Sequence, residues 1–336
     1  MNKGGVVPQF TEKKVYYFWV CVFFLMMTGL LILLYYSATN IDYVWRWYRI
    51  PQYFITEEVT EIRAEVQGEV ISITEESGKS TIVIQDEDTG DSETYSAPKD
   101  SVLVSEGDFI SMGDVLGSKK EIRAGIMLLG LLVTLKVSII SIFVGIFIGL
   151  IGGLARISDN PALKWSSITY IELIRGSPLL VQIFIWYFVL GTLINAVLNN
   201  HGIPQIPPLW FGVAALSTFT GAYVAEMVRA GIQSIDKGQT EAARSLGMTY
   251  PQSMYHVIMP QALRRILPPL AGQFISLIKD SSLLGIIAIR ELTKATREVV
   301  TSSLQPFELW FICALLYLIL TFSLSMFAQY LERKAG

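Results

Sequence analysis

The sequence predicts an all-α integral membrane protein of six helices, with a small all-β domain inserted after the first. Three observations carry this. Hydrophobic residues make up 52% of the 336, charged residues only 16%, and mean hydropathy is +0.47, which is membrane-protein composition. Several apolar runs, such as the 21 charge-free residues Tyr16 to Tyr36, exceed what a ~30 Å hydrocarbon core needs at ~1.5 Å per residue. Charge is also segregated. Residues 37–124 hold 18 Asp and Glu against 8 Lys and Arg, whereas the remainder holds 11 against 18.

Lys3, Lys13 and Lys14 precede the first run and place residues 1–15 in the cytoplasm by the positive-inside rule. The run is longer than a signal-peptide core of about 7–15 residues, and no small-residue cleavage site follows, so 16–36 reads as a retained helix. Residues 37–124 then lie outside the cell. They alternate apolar and polar positions between Gly68, Gly78, Gly90, Gly107, Gly113 and Gly117, the pattern of short strands and tight turns. The pairs Gly107-Asp108 and Gly113-Asp114, with Val102, Val104, Phe109, Ile110, Val115 and Leu116 around them, resemble the barrel-sandwich fold of lipoyl and biotinyl domains. The lysine that those carriers modify is missing, so no prosthetic group is expected. The domain reads as a spacer or cap, or as a docking surface for another extracytoplasmic protein.

Further helices are expected at about 126–155, 167–198, 209–230, 267–289 and 309–331, with 290–308 as a polar outer stretch and 332–336 as a cytoplasmic tail. Gly145, Gly149, Gly152 and Gly153 allow close helix packing in the first of these. Lys136 there either snorkels or faces the bundle interior. Gly176-Ser177-Pro178 breaks or kinks the next. Glu226 and Arg229 share a helix face; Glu226 either pairs there or recognises substrate. Within FISLIKDSSLLG, Lys279 and Asp280 sit at membrane depth, where charge is costly unless paired or facing a polar cavity. With Ser281 and Ser282 they are candidates for a transport pathway, as are Glu226, Arg175 and Ser177. The other reading of Lys279 and Asp280 is an inter-helix ion-pair network that holds the dimer. Cys21 and Cys313 fall in apolar runs and read as buried spectators.

Between the fourth and fifth helices lies Lys237 to Pro260, too polar to cross a bilayer and too Ala-rich for a slack linker. Glu241-Ala242-Ala243 is helix-compatible, Gly247 is a natural stop, Pro251 opens a second short helix and Pro260 closes it. Glu-Ala-Ala followed at fixed distances by Gly247, Val257, Met259 and Pro260 resembles the cytoplasmic signature of the permease subunits of ATP-binding-cassette importers. Arg175-Gly176-Ser177-Pro178-Leu179-Leu180 and GAYVAEMVRAGIQS, residues 221–234, resemble the polar amino-acid branch of that family, the histidine, glutamine and glutamate type.

The resemblance covers Met127 to about Leu331. It implies a type I importer membrane fold over 126–331 and a role in amino-acid uptake. Beside the lipid bilayer it implies three partners: a cytoplasmic ATPase dimer that grips the hairpin through Glu241, Ala242, Ala243, Gly247 and Pro260, a second permease subunit, identical or related, and an extracytoplasmic amino-acid-binding protein. The chain has no GxxxxGK[ST] loop, so ATP hydrolysis falls to the partner and the chain is not an enzyme. No cofactor, metal site or nucleic-acid partner is expected. Two rival readings are an ion-coupled secondary amino-acid transporter, with Lys279, Asp280 and Glu226 as its relay, and a membrane anchor displaying the acidic domain.

Overall fold

The structure, a computed structural model, describes residues 13–41, 43–76, 78–87 and 89–335. Lys3 and the rest of 1–12 lie outside the described residues. The chain divides into two units, Met1–Trp47 and Tyr48–Gly336. In the first, helix α1 (Lys13–Asn40) is apolar on every side, as a helix ringed by lipid must be. Cys21 is exposed on it, not buried, because nothing among the described residues of its own unit packs around this helix.

The second unit begins with residues 48–54, where Ile50 packs on Val299 and Leu309 and the Tyr53 hydroxyl donates to Gln305 Oε1 at 3.2 Å. Six strands follow: β1 (Ile55–Arg63), β2 (Gly68–Glu76), β3 (Lys79–Asp86), β4 (Ser92–Pro98), β5 (Phe109–Ile110) and β6 (Val115–Ala124). β1 and β6 pair as a two-stranded antiparallel ribbon, with Ile55 opposite Ala124; the rest form a sheet of order β4-β3-β2-β5. Alternation along β3 buries Ser80, Ile82 and Ile84. With Ala64, Val70, Ala97, Ile110 and Leu116 the two isoleucines form a core of their own. Two turns repeat one device. Gly107 and Gly113 take φ of +88° and +94°, which glycine adopts without a Cβ penalty. Asp108 and Asp114 accept from the Ser105 and Ser111 amides at 2.8 and 2.9 Å.

The membrane body comprises α2 (Ile126–Arg156), α3 (Pro161–Arg175), α4 (Leu179–Phe184), α5 (Thr192–Asn200), α6 (Pro208–Gln233), α7 (Lys237–Ser245), α8 (Tyr250–Ser253), α9 (Met259–Asp280), α10 (Leu292–Ser303) and α11 (Pro306–Ala335). Six helical stretches among the described residues, α1 included, are long and apolar enough to cross a membrane. Glycines set the central seam. A Cβ on Gly145, Gly149 or Gly153 of α2 would stand within 3.0 Å of Thr220, Val224 or Val228 of α6. Both series advance by four, so α2 and α6 run parallel at close approach, the small-residue packing expected in lipid. Around the seam, Val137, Ile183, Leu216, Leu277, Leu284 and Ile287 build the core. Lys136 is exposed, on the face of α2 away from it.

Four further expectations are corrected. The helix expected at 167–198 is two pieces: α3 starts at Pro161, capped by Asn160, and the chain breaks at Gly176–Pro178 before α4. α4 continues through a π turn, Ile185–Gly191, into α5. Pro260 does not close a helix. Tyr250 to Asp280 is one helical run, and the wider π turn at Met254–Ile258, where the Met259 amide reaches back to the Met254 carbonyl, accommodates the proline's missing donor and ring. Pro268 and Pro269 therefore lie inside α9. Lys279 and Asp280 are not mid-helix: α9 ends there, 3₁₀ turns follow over Ser281–Ile287, and Ala288 turns left-handed at φ +62°. Finally, residues 290–308, expected as a polar outer stretch, contain the helix α10.

Candidate functional site

The hairpin is built by explicit start and stop signals. Asp236 opens α7, accepting from the Gly238 amide at 2.7 Å. At the other end the Gly247 amide donates to Arg244 O at 2.9 Å and the Met248 amide to Ala243 O at 3.2 Å. This double closure needs a left-handed residue after the helix, and Gly247 supplies it at φ +86°. Thr249 and Gln252 form a capping box that starts α8. Of the signature residues, Ala243 points inward at 4% exposure, whereas Glu241 and Ala242 are exposed. Beside them stand Leu246 at 82% and Tyr255 at 73%, large apolar groups on a knob. Its base is held by Ile232, Ile235, Ile258, Ala262 and Ile266, and Arg265 hydrogen-bonds the Ser234 carbonyl. A cleft of about 330 Å³ opens between α7 and α8, lined by Lys237, Thr240, Tyr250, Ser253 and Met254 among others.

The remaining candidates separate into two groups. Glu226 receives Arg229 Nε at 3.0 Å and Nη2 at 2.5 Å. Arg156, at the end of α2, stands 3.4 Å from Glu226 and 3.3 Å from Glu172. Three helices thus meet in one alternating-charge cluster. The Arg175 guanidinium lies over the Tyr223 ring at 5.3 Å, a cation–π contact. Ser177 Oγ donates to Leu173 O at 2.9 Å and accepts from the buried Gln182 at 2.9 Å; Gln182 also donates to Ile174 O at 2.7 Å. Gln182, which the sequence reading did not single out, thereby satisfies the backbone left open by the break.

Lys279 and Ser282 form the second group. Fourteen residues beyond Arg265, Lys279 stands roughly 21 Å further along α9. It lines a cleft of about 250 Å³ with Ser282, Thr293, Trp310, Cys313, Ala314 and Tyr317. Among the described residues of this one chain neither Lys279 nor Asp280 has an ion-pair partner within 4.0 Å. Asp280 is half-buried, and Ser281 is buried with its hydroxyl donating to Ile278 O at 2.7 Å; neither lines the Lys279 cleft. Behind it is Glu291, wholly buried. Burial raises the Glu291 carboxyl above the usual carboxylate range, against the opposing pull of the Thr293 and Lys294 amides. No sequence motif marked it.

Residues 125–336 match the protein family described as binding-protein-dependent transport system inner membrane component. The probable glutamine ABC transporter permease protein GlnM of Bacillus subtilis (strain 168) is 44% identical over 179 residues, 53% of this chain and 79% of that one. The glutamine transport system permease protein GlnP of Escherichia coli (strain K12) is 36% identical, covering 61% of this chain and 90% of its own. Among solved structures, that of an amino acid ABC transporter with histidines superposes with a TM-score of 0.55 at 38% identity, over 62% of this chain and 94% of the other. The MetNI methionine ABC transporter in an inward-facing conformation shares the fold, with a TM-score of 0.52 at 19% identity.

Proposed function

The chain belongs to the family of binding-protein-dependent transport inner membrane components, and from that membership we propose that it is the permease subunit of an ATP-driven importer for polar amino acids. The observation that carries the mechanism is the hairpin. A rigidly capped knob presents Glu241, Ala242, Leu246 and Tyr255 outward while Ala243 and the isoleucines root it in α6 and α9. A partner that grips such a knob moves the bundle with it. Pro260 sits in the unbroken helix joining the knob to the Lys279 cleft, so displacement at one end is transmitted to the other.

In this reading an ATPase dimer binds the knobs of two permease subunits, on the cytoplasmic side together with both termini. Nucleotide shifts the bundle between inward and outward access only through its differential affinity for the two states. Lys279, Ser282, Thr293 and Tyr317 offer an ammonium and three hydroxyls to a polar solute. Glu226, Arg175 and Ser177 hold helices at the knob end, and Asp280 and Ser281 stand beside the pathway. The β strands form an extracytoplasmic cap with barrel-sandwich-like topology, beside which a solute-binding protein docks.

Purification of the chain from its native membrane, followed by ATP-hydrolysis assays with the common amino acids, tests the proposal. We expect an ATPase to copurify and hydrolysis to rise with a polar amino acid. In the same assay Gly247→Asp, which strains the left-handed turn that closes α7, is expected to lose the ATPase while the chain stays in the membrane, which places the defect in the knob. Uptake driven by an ion gradient with no ATPase attached would instead establish a secondary transporter.

A further inference from the structure

Glu291 is buried without a cationic partner among the described residues. Its neighbours Arg290 and Lys294 both turn to Glu298, at 2.8 and 3.6 Å. Neutral donors hold it instead: the Thr293 and Lys294 amides, each at 2.7 Å, and the Tyr317 hydroxyl at 3.0 Å. Glutamate is not a usual helix N-cap; shorter Ser, Thr, Asp and Asn are preferred. Here the extra methylene lets one carboxylate cap α10 and still reach Tyr317 on α11. The same group abuts the 3₁₀ turns, since a Cβ on Gly285 would stand 2.9 Å from Glu291 Oε1. The adjoining Leu292 amide donates to Thr134 of α2 at 3.1 Å. Thr293 Oγ1 lies 3.1 Å from the Tyr317 hydroxyl. Two walls of the Lys279 cleft, Thr293 and Tyr317, are therefore tied to each other and to this buried acid.

We infer that Glu291 is a positioning residue for the Lys279 cleft: it fixes the Tyr317 and Thr293 hydroxyls and the start of α10, and so sets which polar amino acids the pathway passes. This rests on the permease reading above. The carboxylate itself touches no solute. It acts through Tyr317.

The test uses the complete complex with its ATPase and binding protein in lipid vesicles. Maximal uptake rates are measured for L-glutamine, L-glutamate and L-arginine, each on saturating loaded binding protein. Tyr317→Phe removes the hydroxyl and spares the cap; Glu291→Asp spares a carboxylate but withdraws it from Tyr317. Each is expected to change the ratio of rates between solutes by about tenfold or more, the scale on which a site discriminates neighbouring substrates. Glu298→Gln, on the outer side of α10, is expected to leave the ratios unchanged. If Tyr317→Phe and Glu291→Asp slow all three solutes by one common factor, or change nothing, Glu291 is only a helix cap and the inference fails. If the wild-type complex moves none of the common amino acids, the permease reading fails and carries the inference with it. The two failures are told apart by the wild type alone.

Discussion

A Cβ added to Gly149 of α2 would stand 2.4 Å from Cβ of Val224 on α6 and 2.9 Å from the Gly221 carbonyl oxygen. No real side chain tolerates those distances, so the two backbones are as close as glycine permits. Gly149→Ala must push the helices apart. Overpacking of this kind costs about 1–3 kcal/mol. The offsetting gain in helix propensity is small here, because a bilayer already enforces helix before packing. We expect a lower melting temperature for the detergent-purified chain. Gly149→Ala combined with Val224→Gly moves the methyl across the seam and is expected to recover much of the loss. A double variant no more stable than Gly149→Ala would show that the seam is not the cause.

Glu226 is the shared anion of the knob-end cluster, between Arg229 and Arg156. Glu226→Gln keeps the shape and removes the charge. Two guanidinium groups are then left facing each other across α2 and α6. Because all three side chains are partly exposed, the expected destabilisation is about 1 kcal/mol rather than the several of a fully buried pair. It should shrink in high salt, which screens the repulsion. Melting curves at low and high salt check this. Equal losses at both would mean that the hydrogen-bond geometry of the introduced amide, and not the missing charge, is responsible.

The number of membrane spans was legible because length and hydropathy decide it, and the knob because Glu241-Ala242-Ala243 and Gly247 stand at fixed spacing. Helix α10 was in principle legible as well. Leu292, Ala295, Thr296 and Val299 are its buried face and keep a helical period, but Arg290, Lys294, Arg297 and Glu298 around them gave the stretch a loop-like composition. The passage of the chain through Pro260 was not legible, since the compensating π turn at Met254–Ile258 leaves no compositional trace. Glu291 was beyond reach for a different reason. Its partner Tyr317, and the Thr134 that holds the adjoining amide, lie on two other helices, and only tertiary packing brings them together.

The β strands are energetically separate from the membrane body. Every residue of their core lies between Ile62 and Leu116, and none belongs to a helix of the bundle. Their attachment is a simple ribbon: Thr56 pairs with Arg123, and the Gly125 amide donates to Phe54 O at 2.7 Å. Replacing residues 57–122 by Asn-Gly therefore closes the ribbon with a two-residue turn that suits antiparallel strands, and leaves Ile50, Tyr53 and Phe54 seated on α10 and α11. We expect this shortened chain to reach the membrane and to retain its ATPase, because the knob and its roots are untouched. Uptake by it distinguishes two roles for the strands. Retained uptake makes them a cap dispensable for transport. Lost uptake with ATPase still bound makes them the surface on which the solute-binding protein lands. Loss of the ATPase as well would contradict the separation argued here, and would point to an anchor whose bundle exists to display the acidic strands.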